Sequence, residues 1–384
     1  MISAILLLLA QAVPASSSTR NDIIVTGRRA EQSLADCLAA ACPPAKEVEM
    51  SLQASVEQFA DGRYADARRT LQTAIRRNRD HTADLPGPVS SLYATLATVA
   101  EHMGDTDVWI DSARNNVRVL RRYFGETNAS TLQQELSLGD DMVGTGKPGM
   151  AFSVYQDTQR KAAAAGHSDI AAGAAFRRAW LALALGRDRD ARQFADEAVT
   201  LAGANAQLMV NLREILRTRI AISRGEKGAV DNLAKRLRQS QKEAPILIFG
   251  PPINDINPVS QGVEQDSWHD SEIRIADVGY WIRPDGRTSD IEILRNSGLG
   301  QWRPGILRQI RERRYAPFDA EPGYPGNYRV ERFTVRGVDG VPVGSHIERR
   351  MGKLTVHVVD LTETDAMSAA HRAHTQQTSA SPDI

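Results

Sequence analysis

The sequence lacks several features that mark large classes of proteins. Its 47 basic and 47 acidic residues cancel, so the net charge gives no reason to expect a nucleic acid or an anionic membrane as a partner. It contains only two cysteines among 384 residues. The apolar run Ile2–Val13 is too short to span a bilayer, which takes about 20 residues. A chain of this length can still bury a sizeable core and predicts roughly two or three domains.

Motifs that carry catalytic chemistry are missing as well. There is no Gly-x-Ser-x-Gly elbow, and neither cysteine lies in a nucleophile motif. The stretch 144–147 resembles a phosphate-binding loop, but Asp141 replaces its first glycine and Pro148 replaces the hydroxyl residue that binds magnesium. His371 and His374 lie in a polar tail without a third metal ligand. We therefore expect a protein that is not an enzyme and that holds no cofactor and no metal.

The beginning of the chain predicts export across a membrane. Residues 1–15 carry no charged side chain, and small residues at Val13 and Ala15 suit a signal-peptide cleavage site. The alternative is an uncleaved membrane anchor. Because export exposes thiols to an oxidising compartment, Cys37 and Cys42 are a candidate disulfide. The two prolines that follow allow the irregular path such a short bridge needs, since a continuous helix would hold these cysteines too far apart.

Glycines recur at a nearly constant spacing between residues 50 and 242. Five of them are spaced 42, 42, 40 and 39 residues apart: Gly62, Gly104, Gly146, Gly186 and Gly225. An apolar residue follows each glycine by five positions and another follows by nine, which places one apolar stripe on the helix after each turn. These residues are Ala67, Trp109, Ala151, Ala191 and Val230, then Leu71, Ala113, Tyr155, Ala195 and Ala234. A period near 40 predicts an all-α solenoid of stacked helical pairs.

The first of these turns also carries a family resemblance. The stretch Phe59–Ala67 resembles the turn of a tetratricopeptide repeat, with Gly, Tyr and Ala in the expected places. The resemblance covers residues 50–242 and implies a groove that binds proteins or peptides. The alternative is that the helices form only a stalk or spacer.

A change of pattern after Lys242 predicts a second domain. Residues 243–270 are predicted to be a linker because Pro, Asn and Gly are frequent there. Residues 271–362 then alternate apolar and polar positions around a hairpin signal at Asp285-Gly286. A short amphipathic helix follows Pro304, and a strand follows at 328–336. This order predicts a small α+β domain in which a helix lies on an antiparallel sheet.

The end of the chain predicts one more hairpin and a tail. Residues 346–348 and 354–359 are predicted to be its two strands, and residues 363–384 are polar and predicted to be disordered.

The residues of the second domain resemble the C-terminal domain of TonB, the periplasmic energy transducer. The similarity lies in Ile282–Gly286, Ser297-Gly298 and the arginine-rich run Ile310–Pro317. It implies a periplasmic protein whose last strand has an exposed edge, to which a TonB box of an outer-membrane receptor adds as a new strand. The implied docking strand contains Tyr328, Val330, Arg332, Phe333 and Val335, flanked by Arg313, Arg314 and Tyr315.

A matching peptide is present near the start of the same chain. Asp22, Ile23, Ile24, Val25 and Thr26 resemble a TonB box and lie in residues 16–49, which we predict to be a flexible segment. The resemblance implies that this peptide docks on a TonB-like module, either in the same chain or in a separate transducer. The alternative is a terminus that only resembles a strand.

The sequence therefore predicts a multidomain periplasmic adaptor, with a tetratricopeptide-like solenoid followed by a TonB-like domain. Its expected partners are proteins or peptides, namely TonB-box-like segments, outer-membrane receptors or a TonB system. Peptidoglycan is a further open partner. The first alternative function is a TonB-type energy transducer anchored in the inner membrane by the N-terminal apolar run, and the second is a periplasmic enzyme.

Overall fold

The computed structural model of this protein describes residues 29–203, 206–237, 239–240, 245–253, 272–340, 346 and 349–362. The predicted signal peptide, the docking peptide at 22–26 and the C-terminal tail lie outside these residues. Within the described part of the chain, no helix is both long and apolar enough to cross a membrane. The described chain is mostly helical and ends in a small sheet, as the sequence predicts.

Consecutive helices pack against one another through the first part of the chain. They are α1 (Arg29–Ala39), α2 (Pro44–Ala60), α3 (Tyr64–Arg77), α4 (Pro86–Met103), α5 (Thr106–Phe124), α6 (Ala129–Gly144), α7 (Pro148–Ala164), α8 (Ser168–Ala184), α9 (Asp188–Ala202), α10 (Ala206–Ser223) and α11 (Ala229–Arg236). We call α2–α11 the helical repeats.

The five predicted glycine turns are confirmed. Each glycine has a φ between 74° and 85°. In every turn the glycine N–H donates to the carbonyl three residues back, and the next N–H donates to the carbonyl five residues back. This is the Schellman arrangement, and its left-handed position favours glycine because a Cβ would be strained there. The turns divide the helical repeats into five two-helix units.

The predicted apolar stripe is also confirmed. Nine of its ten residues are at most 4% exposed, and Val230 is partly buried. Many of them are alanines, which allow neighbouring helices to approach closely. The buried face of each helix therefore packs on the next helix, and three clusters of buried residues follow one another along the repeats.

Cys37 and Cys42 form the predicted disulfide, with 5.1 Å between their Cα atoms. Helix α1 ends at Ala39, and Ala41 has a φ of 47°. The cysteines are close because the helix stops between them, as the sequence argument required.

The C-terminal sheet has four antiparallel strands, which are β3 (Arg274–Ile282), β4 (Thr288–Ser297), β7 (Asn327–Gly340) and β8 (Arg349–Asp360). They lie in the order β4-β3-β7-β8. The hairpin at Asp285-Gly286 is confirmed, and Gly286 has a φ of 76°. Helix α12 (Arg303–Arg311) covers one face of the sheet, where Ile306 and Ile310 are buried.

Residues 347–348, in the first strand of the predicted second hairpin, lie outside the described part of the chain. The predicted second strand, 354–359, lies in β8, and β8 pairs with β7 over Glu331↔Asp360 to Arg336↔Thr355 and beyond. Strand β7 continues to Gly340, past the predicted end at 336, and so offers β8 a long partner.

The predicted linker is partly structured where the structure describes it. Strand β2 (Leu247–Phe249) pairs with β5 (Arg314–Tyr315), and Ile248 is buried in the core of the last repeats. Just before the predicted linker, β1 (Gln239–Ser240) pairs with β6 (Phe318–Asp319). These short strands join the C-terminal domain to the end of the helical repeats.

Candidate functional site

The prediction that β7 presents an open edge is wrong. Across residues 328–335, β7 pairs with β3 on one side, and from Glu331 onward it also pairs with β8 on the other. Four of the five predicted docking residues are also buried, at 1% exposure or less, namely Val330, Arg332, Phe333 and Val335. The fifth, Tyr328, is half-buried and donates a hydrogen bond to Glu292. A partner strand therefore has no access to the backbone of central β7.

The predicted flanking residues have structural roles of their own. Arg313 is 5% exposed and donates hydrogen bonds of 2.7 Å to both Glu331 and the hydroxyl of Tyr280. Burial by itself would lower the pKa of Arg313, but the carboxylate of Glu331 outweighs it and holds that pKa above its usual value. Tyr315 lies in the same buried group, and Arg314 forms an ion pair with Asp231 of α11. These side chains hold the domain together and do not face a free edge.

One arginine of β7 joins the sheet to the first repeat. Arg332 is fully buried and forms an ion pair with the equally buried Asp277. The rest of its guanidinium donates to the backbone carbonyls of Phe59 and Ala60, at the end of α2. The last carbonyls of a helix have no partner inside the helix and carry its negative dipole end, so they favour a cation.

A second arginine repeats this arrangement one unit further along. Arg336 of β7 donates to the carbonyl of Glu101, near the end of α4. The two arginines therefore cap the helices that precede the first two glycine turns. The sheet is docked on these turns, and we call this contact the junction.

The junction also contains two buried histidines. His357 Nδ1 lies 2.9 Å from a carboxylate oxygen of Glu101, and His102 Nδ1 lies 2.7 Å from Thr334 Oγ1. Burial lowers the pKa of His102 to about 3 and also lowers the pKa of His357. A neutral His357 can donate its ring N–H to Glu101, and this contact lowers the pKa of the carboxyl. The buried environment of the junction therefore favours the neutral form of both histidines.

A cavity of about 410 Å³ opens beside the junction, and we call it the turn cavity. Its walls come from residues 62–66, from Met103 at the end of α4, from Ile273 and Ile275 of the chain entering and forming β3, and from Ser297 at the end of β4. Its volume is in the range of a ligand pocket. The aliphatic side chains make one wall apolar, while Arg63 and Asp66 provide charged groups.

Helix α1 begins next to the turn cavity. The backbone N–H of Ala30 donates to a carboxylate oxygen of Glu57 at 2.8 Å. Glu31 forms an ion pair with Arg63, which itself lines the cavity. The pairing of Glu31 with Arg63 therefore places the first turn of α1 at the rim of the turn cavity.

No group of three His, Cys, Asp or Glu residues within the described ranges is arranged to hold a metal ion. The stretch resembling a phosphate loop is the turn between α6 and α7, as the sequence predicts.

Sequence reasoning missed the functional geometry of the junction and of the turn cavity. The only available signal was the number of arginines in β7, and nothing in the pattern indicates that Arg332 and Arg336 point at helix ends. Residues 62–66 and 273–297 meet in space although more than 200 residues separate them.

No family model and no curated protein matches this chain. Among solved structures, BtubC (BKLC) from P. vanneervenii has 13% sequence identity and a TM-score of 0.44, covering 54% of this chain and 86% of its own. A Rap protein complexed with competence and sporulation factor has 13% identity and a TM-score of 0.37, and the match covers 50% of this chain and about half of Rap, 53%. At TM-scores below 0.5 neither similarity establishes a shared fold, and we assign no function from either protein.

Proposed function

We propose that this chain is a protein-interaction protein, an adaptor rather than an enzyme, that takes an extended segment of a partner at the outer edge of β8. The observation that carries this proposal is the pairing of the sheet. Since β3 and β7 are central, β4 and β8 are the edge strands of the four-stranded sheet among the described residues. Strand addition to an edge uses backbone hydrogen bonds for affinity and alternate side chains for selection.

Of the two edges, β8 suits strand addition better. The pairing of β4 with β3 shifts register twice, and Asp290 of β4 has a φ of 47°. Such bulges, and a charged residue such as Asp290, discourage the pairing of another strand at this edge. By contrast, β8 pairs with β7 without a shift from Thr355 to Asp360. The segment 354–359 contains no Pro, Asp, Glu, Lys or Arg.

The hydrogen bonds of β8 identify the backbone groups that such a partner would meet. Leu361 N–H donates to the carbonyl of Val330 in β7 at 2.8 Å. Since antiparallel strands alternate, the backbone groups of Val356 and Val358 point away from β7. Their side chains pack against the core under α12 and keep the strand in place.

The class of partner is inferred from the resemblance to the TonB C-terminal domain, and the location is inferred from the disulfide. The order β3, β4, α12, β7 is the order that the similarity to the TonB C-terminal domain implies, with β8 added beside β7. On this basis we propose a TonB-box-like segment as the partner. A disulfide in so small a loop fits an oxidising compartment, so we propose the periplasm as the location.

The test compares two substitutions at one edge position in the full chain. Val358→Pro removes an N–H that points away from β7 and should leave the sheet intact, since proline is tolerated at edges. Val358→Thr keeps the N–H and serves as the control. The peptides are selected from a random library for binding to the wild-type protein. Loss of one such hydrogen bond should weaken their binding about tenfold, which corresponds to roughly 1.4 kcal/mol of binding free energy. Equal binding by both variants would refute the β8 edge as the site.

A further inference from the structure

The turn cavity has no established occupant, and the geometry around it points to one. Its apolar wall includes Ile275, which is 6% exposed, and the neighbouring Ile273. The floor is the first glycine turn, where a Cβ on Gly62 would lie 2.9 Å from Ile275 Cδ1. The turn therefore packs closely against Ile275 of β3, and a side chain at residue 62 would collide with it.

We propose that residues 22–26, the segment DIIVT just before α1, occupy the turn cavity of the same chain. This proposal does not depend on the edge of β8, because it concerns a different surface and a segment of the same chain instead of a segment of a partner. It replaces the predicted docking of this peptide on β7, which both neighbouring strands exclude.

The first argument is reach. Glu31, in the first turn of α1, is paired with Arg63, and Arg63 lines the cavity. Ile24 is only five residues before Arg29, a span of at most about 17 Å in an extended chain. Residues 22–26 are therefore joined by a short stretch of chain to a helix start that lies at the rim of the cavity.

The second argument is chemical match. Ile23, Ile24 and Val25 are three consecutive branched apolar residues in an otherwise polar stretch. Apolar side chains gain free energy when they leave water, by about 25 cal/mol for each Å² buried. Facing them in the cavity are Ile273 and Ile275. β-Branched residues also favour the extended conformation that a segment needs in order to lie along the ends of β3 and β4.

The experiment is photo-cross-linking in the full chain, with p-benzoylphenylalanine in place of Ile24. After irradiation of dilute protein and digestion, mass spectrometry identifies the attached residues. We expect cross-links within one chain to residues 62–66 or 273–275. Cross-links only to other regions, only between two copies of the chain, or none above a control with the same group at Ser17 would overturn the proposal.

A second pair of variants tests whether the cavity itself is responsible. Ala65 lines the cavity and is exposed, so Ala65→Phe should fill the space without disturbing the fold, while Ala65→Ser leaves it open. We expect Ala65→Phe to lose most of the cross-link from position 24 and Ala65→Ser to keep it. If the two variants cross-link equally, the segment does not occupy the cavity.

Discussion

The docking of the sheet on the first two glycine turns can be tested by adding one methyl group. Gly104 is the glycine of the second turn, and it has a φ of 85°. A Cβ at this position would lie 2.6 Å from the carbonyl oxygen of Gly337 and 2.9 Å from Cδ of Arg336. The first of these atoms belongs to the backbone of β7, which cannot move without disturbing the sheet. Gly104→Ala should therefore strain both the turn and the junction.

A matched control separates these two effects. Gly146 makes the same turn in the third unit, with a φ of 74°, and a Cβ there would meet no described atom within 4 Å. Both substitutions place alanine in the left-handed region, at a cost of roughly 1–2 kcal/mol. Only Gly104→Ala adds overpacking, which typically costs a further 1–3 kcal/mol. We expect Gly104→Ala to lower the free energy of unfolding by about 2–5 kcal/mol, against about 1–2 kcal/mol for Gly146→Ala.

The assay is urea-induced unfolding of both variants and the wild type, followed by circular dichroism, together with hydrogen exchange of the amides near Gly337. Gly104→Ala should exchange faster in β7, while Gly146→Ala should not. Equal losses of stability, with no change of exchange in β7, would show that the sheet is not docked on the turn at Gly104.

Three further predictions concern acid, charge and redox state. The pKa of His102 is about 3 in the folded protein and near 6.5 in the unfolded chain, so acidification below pH 6.5 favours the unfolded state. At pH 5 the loss of stability from this group is about 2 kcal/mol. His102→Asn should make the free energy of unfolding depend less on pH in urea titrations from pH 7 to 5. Arg332→Met leaves the buried Asp277 with only the more distant Arg295, at 3.5 Å, and should cost up to roughly 3–5 kcal/mol. The double variant with Asp277→Leu should recover part of that loss; a harmless single change would contradict the buried pair. Reduction of Cys37–Cys42 should add two thiols detectable by alkylation and lower the stability by at most about 2 kcal/mol, because the closed loop is short; alkylation of both thiols without reductant would contradict the disulfide.

Much of the helical part follows from local rules. Glycine is the residue that takes a left-handed turn without strain, so its recurrence at about 40 residues predicts helical pairs and their boundaries. The stripe after each turn predicts the buried face of the following helix. The hairpin at Asp285-Gly286 is equally local, because two residues decide the turn. These features were predictable because the residues that determine them are neighbours in the chain.

The open edge of the sheet was not predictable in the same way. Which strand lies in the centre depends on the pairing of β8 with β7, and the alternation of each strand is compatible with several partners. The sequence also could not show that Arg313 is buried with Glu331, since an arginine in a basic run is ordinarily solvated. Both errors arose where a distant segment supplied the partner.

By itself, the sequence determined the glycine turns, the apolar stripes, the first hairpin and the short loop closed by Cys37 and Cys42. Only the tertiary structure decided that β7 is central, that Arg332 and Arg336 cap helix ends, and that a cavity forms between residues 62–66 and β3. The physical reason is range. Backbone turns and amphipathic periodicity depend on residues within a few positions of one another. Strand order and buried ion pairs depend on more distant partners, such as Arg332 and Asp277, which are 55 positions apart. The helix caps and the cavity depend on residues more than 200 positions apart.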